Sequence, residues 1–220
     1  MAFPLTHLIV ADLILKKLPF EHSEFLLGSI APDAVHYRAE FHGAAMANIG
    51  AAKKITHLCP VSDERWGQVT DNIGWEECVR EFLRKNPNDA FLAGYAVHAL
   101  TDIFNNTGIW NDFRTKYPEE AAKGYSSDYY KDMRTIDTQL YHQVYKSSGV
   151  DMKLNAAEAR GIDGLVYAGE VAAIRESLVR QYDGVGDVIN ATYSFVSYDD
   201  VMGFIDGAAE YCVDFLQGIF

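Results

Sequence analysis

The chain has few cysteines, few basic residues and no long apolar run. Its 220 residues include three cysteines, Cys59, Cys78 and Cys212, and no C-x-x-C pair. This odd number favours ordinary thiols over a disulfide framework and is typical of a reducing cytoplasm, which is the expected location. The first 18 residues have no basic start and place Asp12 inside their apolar run. They are therefore expected to be mature sequence and not a signal peptide.

Basic residues are outnumbered by acidic ones. There are 19 Lys and Arg against 31 Asp and Glu, a formal net charge of −12, and residues 181–220 contain no lysine or arginine. Binding to duplex nucleic acid or to an anionic membrane surface requires clustered cations, so neither is expected. The longest uncharged stretch, residues 90–101, is shorter than the roughly 20 residues that a membrane-spanning helix needs. No transmembrane helix is predicted.

Hydrophobic residues make up 49% of the chain, enough for a substantial core, and their spacing is mostly helical. We expect an all-α fold with a single domain over residues 1–220. A strand is a candidate only at 193–198, and the Gly- and Ala-rich segment 33–53 is expected to be irregular. The predicted helices lie at about 4–18, 24–28, 75–85, 90–105, 109–117, 126–147, 156–160, 165–182 and 199–220.

The clearest local signal is GYAVHALTD, residues 94–102. His98 and Asp102 are four residues apart, so on a helix their side chains project from the same face. The rest of this helix is apolar, and burying an imidazole with a carboxylate is unfavourable unless both are hydrogen-bonded, paired or metal-bound. A hydrogen-bonded His–Asp pair in the core and a metal site both satisfy this requirement.

Three more residues in apolar surroundings have the same chemistry. His7 follows Thr6 on the first predicted helix, Asp33 follows Ala-Pro, and His57 lies in KKITHL. With His98 and Asp102 they form a set of three histidines and two aspartates, the nitrogen and carboxylate ligands that zinc and similar ions prefer. A bridging carboxylate would let the five residues hold two ions. Each histidine taken alone is equally compatible with an ordinary core or surface position.

Four segments, in the order THLIVA, FLLGSIAPDAVH, KKITHL and FLAGYAVHALTD, together resemble the zinc-dependent phospholipase C family. Relatives of that family include bacterial secreted phospholipases C and, more distantly, fungal single-strand nucleases. The resemblance covers residues 4–113, about half of the chain, and implies a compact α-helical fold. It also implies a metal-ligand set, with Asp102 bridging two ions, made of His7, Asp33, His57, His98 and Asp102.

The sequence departs from that family in two respects. Secreted members use the amino group of a processed first residue as a ligand, whereas Met1 lies six positions before His7 here. They also bind a third metal through two further histidines and a glutamate. Position 108 is glycine, so a third site is expected to be absent or rebuilt. Asp137 and His142 are candidates for an additional ligand or a general base, with a solvated helix face as the alternative.

These observations favour a metal-dependent phosphoric ester hydrolase. One or two ions, zinc or another divalent transition metal, would activate a water molecule. Asp33 is predicted to bind metal and to accept the water proton. His36, Tyr37 and Arg38 are predicted substrate contacts, Arg38 through a bidentate pair with phosphate; a loop anchored on the surface is the alternative for these three.

A small soluble phosphoester is the favoured substrate, ahead of a lipid or a long nucleic acid. The rival hypothesis is a non-catalytic, metal-stabilised helical scaffold or binding protein, in which the same five residues would form a closed shell. The sequence gives no indication of an oligomeric state.

Overall fold

The computed structural model describes residues 3–41 and 46–219, and within these ranges every regular element is helical. The all-α prediction is confirmed; one isolated antiparallel bridge pairs Ile162 with Val166. A 3₁₀ helix spans Ala31–Tyr37, shorter ones span Ala39–Phe41 and Gly124–Ser126, and a π-helical turn spans Tyr141–Tyr145. The α-helices are α1 (Pro4–Leu15), α2 (His22–Gly28), α3 (Met46–Thr56), α4 (Asn72–Lys85), α5 (Ala90–Thr107), α6 (Ile109–Lys116), α7 (Pro118–Ala122), α8 (Asp128–Leu140), α9 (Lys146–Ser148), α10 (Val150–Ala156), α11 (Ala168–Arg180) and α12 (Tyr198–Gln217).

Helices α1 and α5 form the interior of the molecule. Both are buried on nearly all sides, and α5 packs against α1, α2, α4, α6 and α12. Helix α5 begins where Asp89 accepts a hydrogen bond from the backbone N–H of Leu92 at 3.0 Å, a typical N-cap. A helix that is apolar nearly all round is expected in a core, and the polar residues of α1 and α5, apart from Thr107, are buried here.

Two glycines bring α2 and α5 into backbone contact. A Cβ atom on Gly28 would lie 2.0 Å from the carbonyl oxygen of Phe91, and a Cβ atom on Gly94 would lie 2.0 Å from that of Phe25. Since no side chain fits at either position, glycine is required on both helices. The close approach places the end of α2, and the 3₁₀ helix that follows it, beside the middle of α5.

Short helix α7 was not predicted, and the structure also differs from the predicted elements elsewhere. Residues 193–198 are not a strand, because the carboxylate of Asp132 accepts the backbone N–H groups of 194–196 that a neighbouring strand would otherwise take. The predicted irregular segment 33–53 is partly helical, with α3 ending in two lysines that suit a helix C-terminus; its residues 42–45 lie outside the described residues. The long helix expected at 126–147 is interrupted by the π-helical turn. The helix expected at 156–160 lies earlier in the chain, as α10.

No helix in the described ranges combines the length and the apolar character needed to cross a membrane.

Candidate metal centre

The five residues singled out as a ligand set come together in the interior. His7 lies on α1, Asp33 on the 3₁₀ helix, His57 immediately after α3, and His98 and Asp102 on α5. Asp33 is the most exposed of the five, at 7%, and none of the other four exceeds 1%. Side chains from four separate segments therefore meet at one buried point.

Nitrogen and oxygen atoms of this cluster lie at distances a metal ion can bridge. His57 Nε2 lies 3.1 Å from His98 Nε2, 3.4 Å from Asp33 Oδ1 and 3.6 Å from Asp102 Oδ2. His7 Nε2 lies 3.7 Å from Asp102 Oδ1. Two groups of three have their ligand atoms within 4.8 Å of one another: His7, Asp33 and His98, and His57, His98 and Asp102. Each group is geometrically able to bind a metal ion.

The outer nitrogens of two histidines fix how their rings face the cluster. His98 Nδ1 lies 2.7 Å from the carbonyl oxygen of Ser29, which only accepts, so Nδ1 carries a proton and donates it. In the neutral form of this ring, the lone pair of Nε2 faces His57. His57 Nδ1 is 3.0 Å from the hydroxyl of Thr56. If that hydroxyl accepts a hydrogen bond from His57 Nδ1, then His57 Nε2 also carries a lone pair, and the two Nε2 lone pairs face each other across 3.1 Å. A cation bound by both nitrogens would remove their repulsion.

In the other tautomer, Thr56 donates to His57 Nδ1, and Nε2–H of His57 donates to His98 Nε2. This hydrogen bond satisfies both rings and is the ordinary core alternative. It does not extend to His7, whose two ring nitrogens are buried and have no hydrogen-bond partner among the described residues. The His7 ring is stacked on His98 with a centroid distance of 3.6 Å. A buried imidazole without partners is unfavourable, and its nitrogen can donate a lone pair to a metal ion.

The pKa shifts of the cluster favour protonation states that can bind a cation. Burial raises the pKa of Asp102, with the nearby His98 opposing that shift. Burial alone would raise the pKa of Asp33, but the Lys53 ammonium and hydrogen bonds from His36 and His57 hold it well below its ordinary value. Burial lowers the pKa of His7 and of His57 well below the ordinary value. Neutral imidazoles beside an ionised carboxylate form the ligand state that a divalent ion needs.

The backbone around His57 holds its ring in place. The indole of Trp75 donates to the carbonyl oxygen of His57 at 2.8 Å, and the hydroxyl of Tyr95 donates to that of Thr56. The next residue, Leu58, has a φ of 55°, in the left-handed region where helix ends usually place glycine. A leucine there costs about 1–2 kcal/mol, and such strain is common at functional sites.

One residue of the cluster was missed in the sequence. Lys53 is 5% exposed and its Nζ lies 2.7 Å from Asp33 Oδ1, within the cluster. Its signal was its spacing, since Lys53 and His57 are four apart and share a helix face. The two lysines of KKITHL differ in environment, because the Lys54 ammonium instead donates to the carbonyl oxygen of Ser62 at 2.8 Å.

A cleft of about 1180 Å³ opens over one side of the cluster. Of the five clustered residues only Asp33 lines it, together with Lys53, His36 and Tyr37. The remaining four lie behind Asp33, with exposures of 1% or less. Aromatic side chains form much of the remaining wall, namely Phe3, Trp66, Trp110, Tyr125 and Tyr130. Asp33 is thus the point where the buried cluster meets the cleft.

Arg38 does not line the cleft, unlike its two predicted companions His36 and Tyr37. Its guanidinium donates to both carboxylate oxygens of Glu170, at 2.8 and 3.3 Å, and to the carbonyl oxygen of Leu165 at 2.8 Å. With these acceptors in place, Arg38 joins the 3₁₀ helix to α11 and has no free fork for a phosphate.

Asp137 and His142 are not brought to the cluster either. Asp137 is buried on α8, where it accepts hydrogen bonds from Tyr182 and Gln181. His142 is half-buried, and its Nε2 lies 3.0 Å from the carbonyl oxygen of Val185. Neither belongs to a metal-binding group of three in the described part of the chain.

The residues present fit a borderline divalent ion such as zinc, because they combine imidazole and carboxylate ligands with an unsatisfied buried histidine. Comparison with known proteins adds no name to this site: no protein-family model, curated protein or solved structure matches the chain.

Proposed function

We propose that the chain is a metal-dependent hydrolase of small phosphoesters. The observation that carries this proposal is the convergence of three histidines and two aspartates directly beneath a cleft, with Asp33 reaching the cleft wall. The resemblance of four segments to the zinc-dependent phospholipase C family supports it independently. The five residues that the resemblance designates are the ones that lie together.

His7, Asp33 and His98 would hold one ion, or His57, His98 and Asp102 would do so. Both groups use His98, and one imidazole nitrogen binds one ion. Two ions would therefore need a carboxylate bridge, for which Asp102 is the predicted residue. A bound divalent ion supplies a water molecule of lowered pKa and polarises a phosphoryl oxygen.

Asp33 is the residue of the set that reaches both the cluster and the cleft. Its lowered pKa keeps the carboxylate ionised, so it can hold a cation and orient a water molecule by accepting its hydrogen bond. The same low pKa makes it a weak base, and we assign it the proton of the attacking water only as a transient acceptor. His36 and Tyr37 line the cleft next to it and would contact the substrate.

The test is metal analysis of the purified chain followed by an ester panel. Hydrolysis of a phosphomonoester, a phosphodiester and a phospholipid is measured with and without a chelator, then after adding Zn²⁺. We expect at least one ester to be hydrolysed, with activity lost on chelation and restored by the ion. His7→Ala should abolish the activity, whereas His142→Ala, the same change at a half-buried histidine outside the cluster, should leave it intact.

A non-catalytic, metal-stabilised scaffold is the second candidate. It is favoured by the burial of His7, His57, His98 and Asp102 and by the engagement of Asp33 with Lys53. A chain that holds a stoichiometric ion, exchanges it slowly and hydrolyses none of the esters would have this function instead.

A further inference from the structure

Lys53 brings a positive charge to the wall of the cleft. Its side chain is 6% exposed, its Nζ is 2.7 Å from Asp33 Oδ1, and it lies 5.4 Å from the ring centroid of Trp66. An ammonium is strongly hydrated, so burying it is favourable only when its donors are satisfied. Lys53 is therefore an unusual wall residue in a protein with an excess of acidic groups.

The donors of Lys53 outnumber its acceptors. An ammonium has three N–H groups, and Asp33 is the one hydrogen-bond acceptor of Lys53 among the described residues. Lys53 lines the cleft beside His36, whose Nε2 lies 3.5 Å from the same Asp33 oxygen. Two nitrogen-bearing side chains thus flank the only clustered carboxylate that the cleft reaches.

We propose that Lys53 is the anion-binding residue of this cleft and holds an unesterified oxygen of the substrate's phosphoryl group. The inference rests on the proposed function and deepens it. The hydrogen bond to Asp33 fixes the ammonium at the wall, and the remaining donors bind the anion. The substrate class is a phosphoester with at least one free, negatively charged oxygen on the phosphorus.

The ordinary role for Lys53 is to neutralise Asp33 and nothing more. The neighbouring Lys54 separates the two roles, because it also lines the cleft but its ammonium is held by the carbonyl oxygen of Ser62. Lys53→Met and Lys54→Met remove the same charge and keep a similar side-chain length. General attraction of an anion to the cleft would change equally in both variants, whereas a specific site depends on Lys53 alone.

The experiment titrates inorganic phosphate into the zinc-supplemented chain by calorimetry at 150 mM salt. We expect Lys53→Met to weaken binding about 10- to 100-fold, the usual effect of losing a hydrogen bond to a charged group. Lys54→Met should stay within about twofold of the unchanged chain. Equal metal content in all three proteins shows that the loss is at the anion and not at the metal.

A second measurement needs no variant to fold. In the chain labelled with ¹⁵N at lysine, phosphate should shift the Nζ signal of Lys53 and leave that of Lys54 in place. An unmoved Lys53 signal, phosphate binding unchanged by Lys53→Met, or equal weakening by Lys54→Met would overturn the inference. Ester hydrolysis with phosphate binding indifferent to Lys53 would refute the inference alone, while phosphate binding through Lys53 with no hydrolysis would refute the proposed function alone.

Discussion

Two buried polar regions of the molecule differ in how far their polar atoms are hydrogen-bonded. Asp132 on α8, 4% exposed, directs one carboxylate oxygen at the backbone N–H groups of Ser194, Phe195 and Val196, at 2.9, 2.7 and 3.3 Å. The cluster around α5 leaves both nitrogens of His7 without a hydrogen bond to any residue that the structure describes. A buried group satisfied by the protein's own backbone stabilises the fold, whereas a buried group without a hydrogen bond is a candidate for binding a ligand.

Asp137 lies between these two cases. One of its oxygens accepts from Tyr182 and Gln181, and the other is buried without a partner among the described residues. Burial raises its pKa to about 7, although the hydrogen bond from Tyr182 acts in the opposite direction. A carboxyl group that is neutral over much of the pH range tolerates such a position without a cation. Asp137 therefore has a structural role and does not require a bound cation.

The largest effect is expected from Asp102→Asn. The change keeps the shape of the side chain but removes the negative charge that bound cations share, and α5 offers no other carboxylate nearby. Loss of supporting residues around metal sites lowers affinity about 10- to 100-fold, so loss of a ligand should lower it at least 100-fold. Mass spectrometry of the native protein and zinc titration measure this change.

His7→Ala sharpens that result. It removes one neutral ligand and leaves both carboxylates, so it should empty one site while Asp102→Asn empties all. If Asp102→Asn keeps its ions with ordinary affinity, the bridge assignment is wrong, and a plain His98–Asp102 core pair becomes the better interpretation.

Metal removal should have the next largest effect. Because the ligands come from four segments, binding favours the folded state, by about 4 kcal/mol when the free ion is a thousand times its Kd. For a chain of this size that corresponds to a fall in Tm of roughly 10 °C. Differential scanning calorimetry before and after verified chelation measures the shift. An unchanged Tm would indicate that the cluster, like Asp132, is stable without a metal ion.

Much of the architecture could be predicted from the sequence, for a physical reason. Helical spacing identifies α5, and the four-residue interval of His98 and Asp102 places them on one face. The fate of residues 193–198 could not be read in this way. Their backbone is held by Asp132, which lies more than 60 positions away in the chain. Local spacing does not contain such contacts.

The candidate site, too, could be predicted from the sequence only in part. His7, Asp33 and His57 were identifiable because each is a polar residue in an apolar context. Two cationic side chains show the limit: Arg38, a predicted substrate contact, donates to Glu170, and Lys53, which the sequence analysis did not single out, is buried on Asp33. Which acceptor a long cationic side chain reaches depends on tertiary packing, to which a single sequence gives little access.

The pH dependence of stability should separate Asp137 from the metal cluster. In the unfolded chain its pKa is near 3.8, and in the folded chain about 7, so the folded state holds the proton more tightly. Its contribution to stability is complete below about pH 4 and is lost as the pH rises to about 7. Asp137→Asn should therefore remove a fall in unfolding free energy of up to about 4 kcal/mol across that interval. If the unfolding free energies of the two proteins follow parallel profiles from pH 4 to pH 8, the pKa of Asp137 does not change on folding and the prediction is wrong.

The smallest effect is expected from Asp132→Asn, which makes the same change of atoms as Asp102→Asn in the other region. The amide oxygen can still accept from Ser194, Phe195 and Val196, but hydrogen bonds to a charged acceptor become hydrogen bonds to a neutral one. We expect the free energy of unfolding to fall by about 1–3 kcal/mol, with a lower urea midpoint and an unchanged slope. Metal content should not change, because none of these atoms belongs to the cluster around α5. If Asp132→Asn released metal as Asp102→Asn is expected to do, the two regions would be coupled through α8. Unsatisfied hydrogen-bonding groups would then no longer distinguish a ligand site from a structural one in this fold.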